Sequence, residues 1–422
     1  MITFLNIQIN HIKERGLKEI FVKLLILLKI IISKIGMIIS LPALVIVIFL
    51  SPFISVRFGI LNCQRIGHFT SNLDLYFFKK KYEKEYNSKI FLDVLSYNVP
   101  ISNKFFFKKI KEIIRIHNYL YVRPIYDLIL LLSNKFNFFR KFLIPSFSPS
   151  IFDNADHDEQ DILINNKPLI EFSEDEKIKG HELLKNIGVK DNKYICLIMR
   201  DSKYLNDKFK RNDWSYHDYR NINIDDCSDM INELCNLGYY VIRMGRNVEK
   251  KVTLKNEKVI DYANSKYASD FGDIFLFSKC KFCISSGTGP DMIARLFRKK
   301  VGRLMLPVGD FHTSSLDINA TFPHYSHKLK RNLNLKEIYD HGLFRALNTS
   351  LYRDKQVELI KNNKDLYKNF ATFCVDIYEN KVINPEVKNK QNIFWEQFKK
   401  YKKKHNLKIN SIVFDDQNNL IN

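Results

Sequence analysis

Short apolar runs alternate with amphipathic stretches along most of this chain. In the second half the pattern is regular. Tyr194 to Met199 (YICLIM) predicts a buried strand, residues 226–237 have helical spacing with Gly238 as a stop, and Tyr239 to Met244 (YYVIRM) predicts the next strand. Short strands follow over 259–262, 281–284 and 301–306, with helical pieces ending at Phe277 and spanning 291–297. In the first half, residues 55–61 read as a strand entering a glycine-bearing loop, and 71–78 as a helix. Residues 90–95 and 119–122 are further strand candidates, with helices around 104–116 and 125–133. Repeated strand–helix alternation predicts doubly wound α/β domains with parallel sheets and ligands at the strand carboxyl ends. The polar stretch 145–168, with Pro145, Pro149 and Pro168, is expected to be an inter-domain loop, and 334–405 to be mostly helical and lysine-rich. The expected division is 1–54, 55–170, 171–335 and a helical basic extension over 336–422.

Ahead of this pattern lies a different one. Residues 36–54 (GMIISLPALVIVIFLSPFI) carry no charge and approach the roughly 20 residues that cross a bilayer as a helix. The run starts too late and is too long for a signal peptide. Residues 17–35 mix Leu and Ile with Lys18, Lys23, Lys29 and Lys34, a pattern suited to anionic headgroups. Lys13 and Arg15 on one flank and Arg57 and Arg65 on the other leave the orientation open, and Pro42 and Pro52 can bend the segment. A membrane-associated N-terminal segment is therefore expected, either spanning or anchored, with Lys399, Lys400 and Lys402 to Lys404 as a solvated basic tail.

Charge narrows the partners. With 422 residues, a net charge of +21 and a hydrophobic fraction of 45%, the chain is globular and seeks an anion: nucleic acid, an anionic membrane or a phosphate-bearing substrate. No nucleic-acid reading motif occurs and the basic residues are spread along the chain, which argues against nucleic acid. Seven scattered cysteines form no disulfide framework. Cys280 and Cys283 have no second pair at zinc spacing and read as buried small residues.

Candidate chemistry gathers at predicted strand ends. The strand ending at Ile284 empties into Ser285-Ser286-Gly287-Thr288-Gly289-Pro290, where small residues admit a ligand and a helix start at Asp291 favours an anion. It is neither a Walker loop nor a GxGxxG fingerprint. Arg200 and Lys203 follow one strand, Gly245 and Arg246 another, and Asp261-Tyr262 a third; the basic side chains can clamp phosphate oxygens. In the first half His68 occupies the equivalent turn and can take a proton near neutral pH, with Asp74 further along as its orienting partner or as a base itself. No Asp-x-Asp triplet lies at these strand ends, so nothing suggests a metal-bound diphosphate, and neither a metal nor another cofactor is expected.

The residues Arg65-Ile66-Gly67-His68, Arg200-Asp201-Ser202, Val241 to Gly245, Asp261-Tyr262-Ala263, Ser269 to Phe271 with Asp273, Cys280 to Phe282 and the loop Ser285 to Gly289 form a set. In this set the chain resembles a family of bacterial glycosyltransferases of the two-Rossmann-domain (GT-B) type, associated with cell-surface polysaccharide assembly. The resemblance covers roughly residues 55–330. Met199-Arg200-Asp201 is also similar to the HxRRxD motif of GDP-fucose enzymes, but lacks its His and second Arg. The family likeness implies two Rossmann-like domains facing a cleft. A nucleotide-sugar donor would sit on the second domain and a glycan or lipid-linked acceptor on the first, at the cytoplasmic face of a bacterial inner membrane. It implies that Tyr262 lies near the base or ribose, that Ser286, Gly287 and Thr288 cap the diphosphate, and that Arg200 and Arg246 stabilise the leaving phosphate. His68 would be the acceptor's base if the anomeric carbon inverts, and a positioning group if it is retained. A nucleotide-sugar 2-epimerase and a non-catalytic, basic membrane-tethered binding protein are the alternatives.

Overall fold

The computed structural model describes residues 16–86, 90–152, 157–158, 161–209, 213–304, 307–311, 313–381, 385–402, 411–415 and 420, with backbone alone at 17–19, 83–86 and 402. Lys13, Arg15, Lys403, Lys404 and parts of the expected loop 145–168 lie outside the described residues. The chain divides into two compact units that interleave in sequence. One comprises Met1–Asn62, Glu83–Val99 and Ile114–Ala155; the other comprises Cys63–Tyr82, Pro100–Ile113 and Asp156–Asn422. These differ from the contiguous boundaries the sequence suggests, because the residues after the first strand belong with the second half of the chain.

In the smaller unit, β1 (Ile54–Leu61) pairs in parallel with β2 (Ile90–Tyr97), and Arg57 of β1 is ion-paired to Asp93 at 2.8 Å. Residues 119–122, expected as a strand, instead open the helix Tyr119–Ser133. The Asn118 side chain caps it by accepting from the Leu120 amide at 2.9 Å. Val122, Ile125, Tyr126 and Ile129 fall on one buried face, and that helical stripe overrides the strand preference of Tyr and Val. Among the described residues this unit thus carries a two-stranded parallel sheet, not the full doubly wound domain expected over 55–170.

The apolar N-terminal run is two helices, Leu17–Ile39 and Leu41–Leu50, bent by 42°. Pro42 causes the break: it has no amide hydrogen and its ring crowds the preceding turn. No single described helix is long and apolar enough to cross a membrane, although the bent pair together reaches that length and composition. Phe21, Leu24, Ile32 and Ile39 are all more than half exposed, while Leu44 and Val47 are buried.

The larger unit is built on a seven-stranded parallel sheet. Its strands are β3 (Tyr194–Ile198), β4 (Tyr240–Arg243), β5 (Val259–Ile260), β6 (Cys283–Ser285), β7 (Val301–Arg303) and β8 (Asp317–Asn319). Next in the chain come β9 (His324–Ser326), β10 (Arg331–Asn332) and β11 (Val357–Leu359), a small antiparallel sheet, and then β12 (Ile412–Val413), which joins the main sheet. The order of the main sheet is β12-β8-β7-β6-β3-β4-β5. The chain runs outward from β3 through β4 to β5, then returns to the opposite side of β3 as β6. The direction of winding therefore reverses between β3 and β6, which leaves a crevice at their carboxyl ends.

Residues 336–422 are not a separate extension. The helix Lys364–Tyr378 puts Leu366, Tyr367, Phe370 and Cys374 into the core of the larger unit, where they join Ile195, Val241 and Ile284. All seven cysteines are buried free thiols.

Candidate functional site

The crevice between β3 and β6 is tied together by serines. The Ser286 amide donates to the Ile198 carbonyl at 3.1 Å, and the Ser286 hydroxyl accepts from the Arg200 amide at 2.8 Å. The Ser285 hydroxyl donates to Asp291 at 2.8 Å and accepts from the Thr288 amide at 3.2 Å. Gly287 has φ 68°, a left-handed conformation that suits glycine. A Cβ on Gly67 would stand 2.7 Å from Gly289 Cα, so two glycines allow the start of the helix Ile66–Tyr86 to touch the loop backbone to backbone.

This geometry changes the expected role of the loop. The amides of Ser286, Thr288 and Asp291 are spent on bonds within the fold. The helix Asp291–Leu296 has only six residues and a buried carboxylate at its first position. Of the loop amides this leaves those of Gly287 and Gly289, so an anion here would also draw on side chains.

Those side chains line a cavity of about 360 Å³ above the loop, within the larger unit. Arg65, His68, Arg200, His217, Arg220 and Arg246 are in its wall, with Gly245 and Gly287 to Gly289. Five nearby arginines are held by carboxylates. Arg243 pairs with Asp261 at 3.4 Å, Arg246 with Asp270 and Asp273, Arg295 with Asp317, Arg298 with Asp74, and Arg303 with Asp291 and Asp317. Among the described residues, Arg65, Arg200 and Arg220 form no ion pair, and all three face the same cavity.

Arg200 is only 6% exposed. Its Nη1 donates to the His217 carbonyl and the Asn221 side chain, and its Nη2 has no hydrogen-bond partner among the described residues. Burial, reinforced by the charge of Arg220, pulls its pKa down to about 10. Arg220 donates through Nη1 to the Gly287 carbonyl at 2.9 Å, and its Nε is likewise without a partner there. Its Nη2 lies 3.3 Å from His217 Nδ1. A guanidinium can only donate, so Nδ1 accepts and the proton of the neutral ring is on Nε2. Burial, then Arg220, Arg200 and Arg65, hold the His217 pKa down to about 3. The Arg65 guanidinium sits 4.9 Å over the Trp214 ring, which stacks on His217. Unpaired charge in a half-closed site is unfavourable without a ligand, which makes these three arginines the strongest sign of an anion site.

Of the residues singled out in sequence, His68, Arg200, Gly245, Arg246, Gly287, Thr288 and Gly289 meet in the cavity wall. Others do not. Lys203 is exposed and faces Asp207 at 3.6 Å. Tyr262 is fully buried, where its hydroxyl accepts from the Ser269 amide at 2.9 Å and burial pushes its pKa up to about 12, so it is a core residue and not a base platform. Ser285 and Ser286 are buried behind the loop and hold its shape. Asp74 is 1% exposed, outside the cavity wall, and locked by two bonds of 2.7 and 3.1 Å to Arg298. Burial raises its pKa to about 6 against the pull of Arg298, but no access to the cavity supports a catalytic role. Arg246 reaches the wall with its charge already matched by Asp270 and Asp273.

Sequence reading missed Arg220 and His217, and gave Arg65 no role. His217 and Arg220 stand on a short 3-10 helix, Ser215–Arg220, away from the strand ends, whereas Arg65 lies in the turn after β1. The cluster Trp214, Tyr216, His217, Tyr219 and Arg220 was the available signal. No group of three or more His, Cys, Asp or Glu side chains among the described residues is placed to hold a metal ion.

No protein-family model matches the chain, and no curated protein matches it. Among solved structures, a glycosyl transferase family 9 protein from Veillonella parvula is similar at a TM-score of 0.39 and 11% identity, over 75% of this chain and 98% of that one. Likeness of that degree fixes neither fold nor chemistry.

Proposed function

We propose that the chain is a glycosyltransferase that binds a nucleotide-sugar with its diphosphate between Arg200 and Arg220. The observation that carries this reading is the pair Arg200 and Arg220, which have no carboxylate partner among the described residues and line one cavity at the point where the sheet reverses its winding. A volume of about 360 Å³ falls in the range of small-ligand sites. In the reaction, the acceptor hydroxyl oxygen bonds to the anomeric carbon. The carbon–oxygen bond to the diphosphate breaks, and its electron pair leaves with the nucleoside diphosphate. Arg200 and Arg220 stabilise the charge that grows on that leaving group, so no metal is needed in this scheme. His68 takes the hydroxyl proton if the anomeric carbon inverts; with retention it orients a substrate.

The N-terminal helices extend the proposal to the membrane. Exposed apolar side chains interspersed with Lys23, Lys29 and Lys34 support seating on the anionic cytoplasmic face of a bacterial inner membrane, with a glycan or lipid-linked acceptor used in cell-surface polysaccharide synthesis.

Thermal stability of detergent-purified protein, measured with UDP, GDP, ADP, CMP and their sugars, tests the donor site. A ligand that binds only the folded state raises its stability. A rise with one nucleotide that disappears in Arg200→Ala supports the reading, and no rise with any of them sinks it. Co-sedimentation with phosphatidylglycerol vesicles, compared with phosphatidylcholine, tests the membrane part.

A further inference from the structure

Arg65, Arg200 and Arg220, none with an ion pair among the described residues, are more than one diphosphate requires, and they stand on different elements. Arg200 and Arg220 are linked through His217, whose carbonyl accepts from Arg200 and whose Nδ1 faces Arg220. Arg65 belongs to a different element: it immediately precedes the helix Ile66–Tyr86 and packs on the face of Trp214. That helix has 21 residues and no acidic residue in its first turn, and its opening residues Ile66, Gly67 and His68 are in the cavity wall. The first-turn amides of a helix have no intrahelical acceptor, and the macrodipole places partial positive charge there. The cavity thus has two positive poles. The second is built from Arg65 and a long helix start, three residues or fewer from His68.

We infer that the acceptor carries an anionic group, phosphate or carboxylate, and that Arg65 binds it while His68 meets the neighbouring hydroxyl. This rests on the nucleotide-sugar reading above, since His68 is the group proposed to receive the acceptor's proton. Arg65 and His68 both line the cavity at the helix start. An anion held at Arg65 would present a hydroxyl on the same molecule to His68. Arg65 is accordingly a positioning residue for the acceptor and not part of the donor's diphosphate clamp.

Trp214 provides the readout, because it touches Arg65 and the chain has only one other tryptophan, Trp395. In full-length protein carrying Trp395→Phe and saturated with its nucleoside diphosphate, titration with inorganic phosphate should change Trp214 fluorescence saturably. Sodium acetate forms the parallel arm. The tighter of the two identifies a phosphate-bearing or a carboxylate-bearing acceptor. Arg65→Gln should weaken this response by about tenfold or more, the loss of one charge-assisted hydrogen bond, while leaving nucleoside diphosphate affinity within about twofold. Three results would overturn the inference: no saturable response to either anion, an undiminished response in Arg65→Gln, or a tenfold loss of nucleoside diphosphate affinity in that variant. Failure of every nucleoside diphosphate to bind the parent protein is a separate outcome; it removes the donor reading, and this inference with it.

Discussion

Replacing Arg200 by Met should improve or preserve stability while removing ligand binding. The fall of its pKa from the ordinary arginine value to about 10 corresponds to about 3 kcal/mol against the charged form in the folded protein. The sign follows from a base whose folded pKa is depressed. The cost is fully present at neutral pH, and it fades only as pH rises above about 10 towards the ordinary arginine value, where the unfolded chain also loses its proton. Met keeps most of the side-chain volume and forfeits the bonds to the His217 carbonyl and Asn221, roughly 1 kcal/mol each. The ligand-free variant is therefore expected to match the parent or exceed it by about 1 kcal/mol. Nucleoside diphosphate affinity should fall by roughly 2–3 kcal/mol, or about 30- to 150-fold. Arg298→Met is the contrast. It strands the buried carboxylate of Asp74 and should cost about 3–5 kcal/mol of stability. Urea denaturation near neutral pH gives the stabilities, and calorimetric titration gives the affinities. If Arg200→Met loses as much stability as Arg298→Met and binds nucleotide unchanged, then the absence of a carboxylate partner does not mark a ligand site in this fold.

Further tests address the other groups. His68→Ala should keep donor affinity and abolish transfer, measured as sugar incorporation into acceptor; full activity would exclude the base role. His217 should stay neutral well below the ordinary histidine pKa of 6.5, because its depressed value favours the neutral ring until the pH nears 3. Its contribution to stability is accordingly lost as pH falls through that window, and an NMR titration with a midpoint near 6.5 would contradict the site's electrostatics. Gly67→Ala places a methyl group 2.7 Å from Gly289 Cα and should push the loop off the helix start. It is expected to cost about 1–3 kcal/mol in stability and to weaken nucleotide binding, and an unchanged variant would show that the close approach has no consequence.

The second half of the chain was readable because β3, β4 and β6 are buried on both faces and therefore appear as continuous apolar runs. Their carboxyl ends point to the crevice by topology alone, which is why Arg200, Gly245 and the 285–289 loop were found. Whether an arginine is free or paired was not readable. Arg298 is matched by Asp74, 224 positions away, and Arg246 by Asp270 and Asp273, which the sequence places in the family-like set but not against an arginine. Tyr262 sits at a strand end but turns inward to bond the Ser269 amide. Arg220 and His217 return to the site on a single short 3-10 helix, drawn back where the Ile222 amide donates to the Arg200 carbonyl at 3.0 Å. Local periodicity carries no trace of such returns.

The interleaving of the two units bears on how the protein is made. Residues 63–82 and 100–113 leave the ribosome early, yet they belong with 156–422. Phe69, Leu73, Phe106 and Ile110, each about 1% exposed or less in the finished fold, must wait through the synthesis of the sheet before that unit is complete. Folding cannot simply proceed unit by unit from the N-terminus, and nascent chains should depend on chaperones over that interval. For the same reason neither unit can be produced by cutting the chain once. Fragment expression split at Ala155 would leave two helical pieces of the larger unit on the wrong fragment, whereas co-expression of both fragments could restore them.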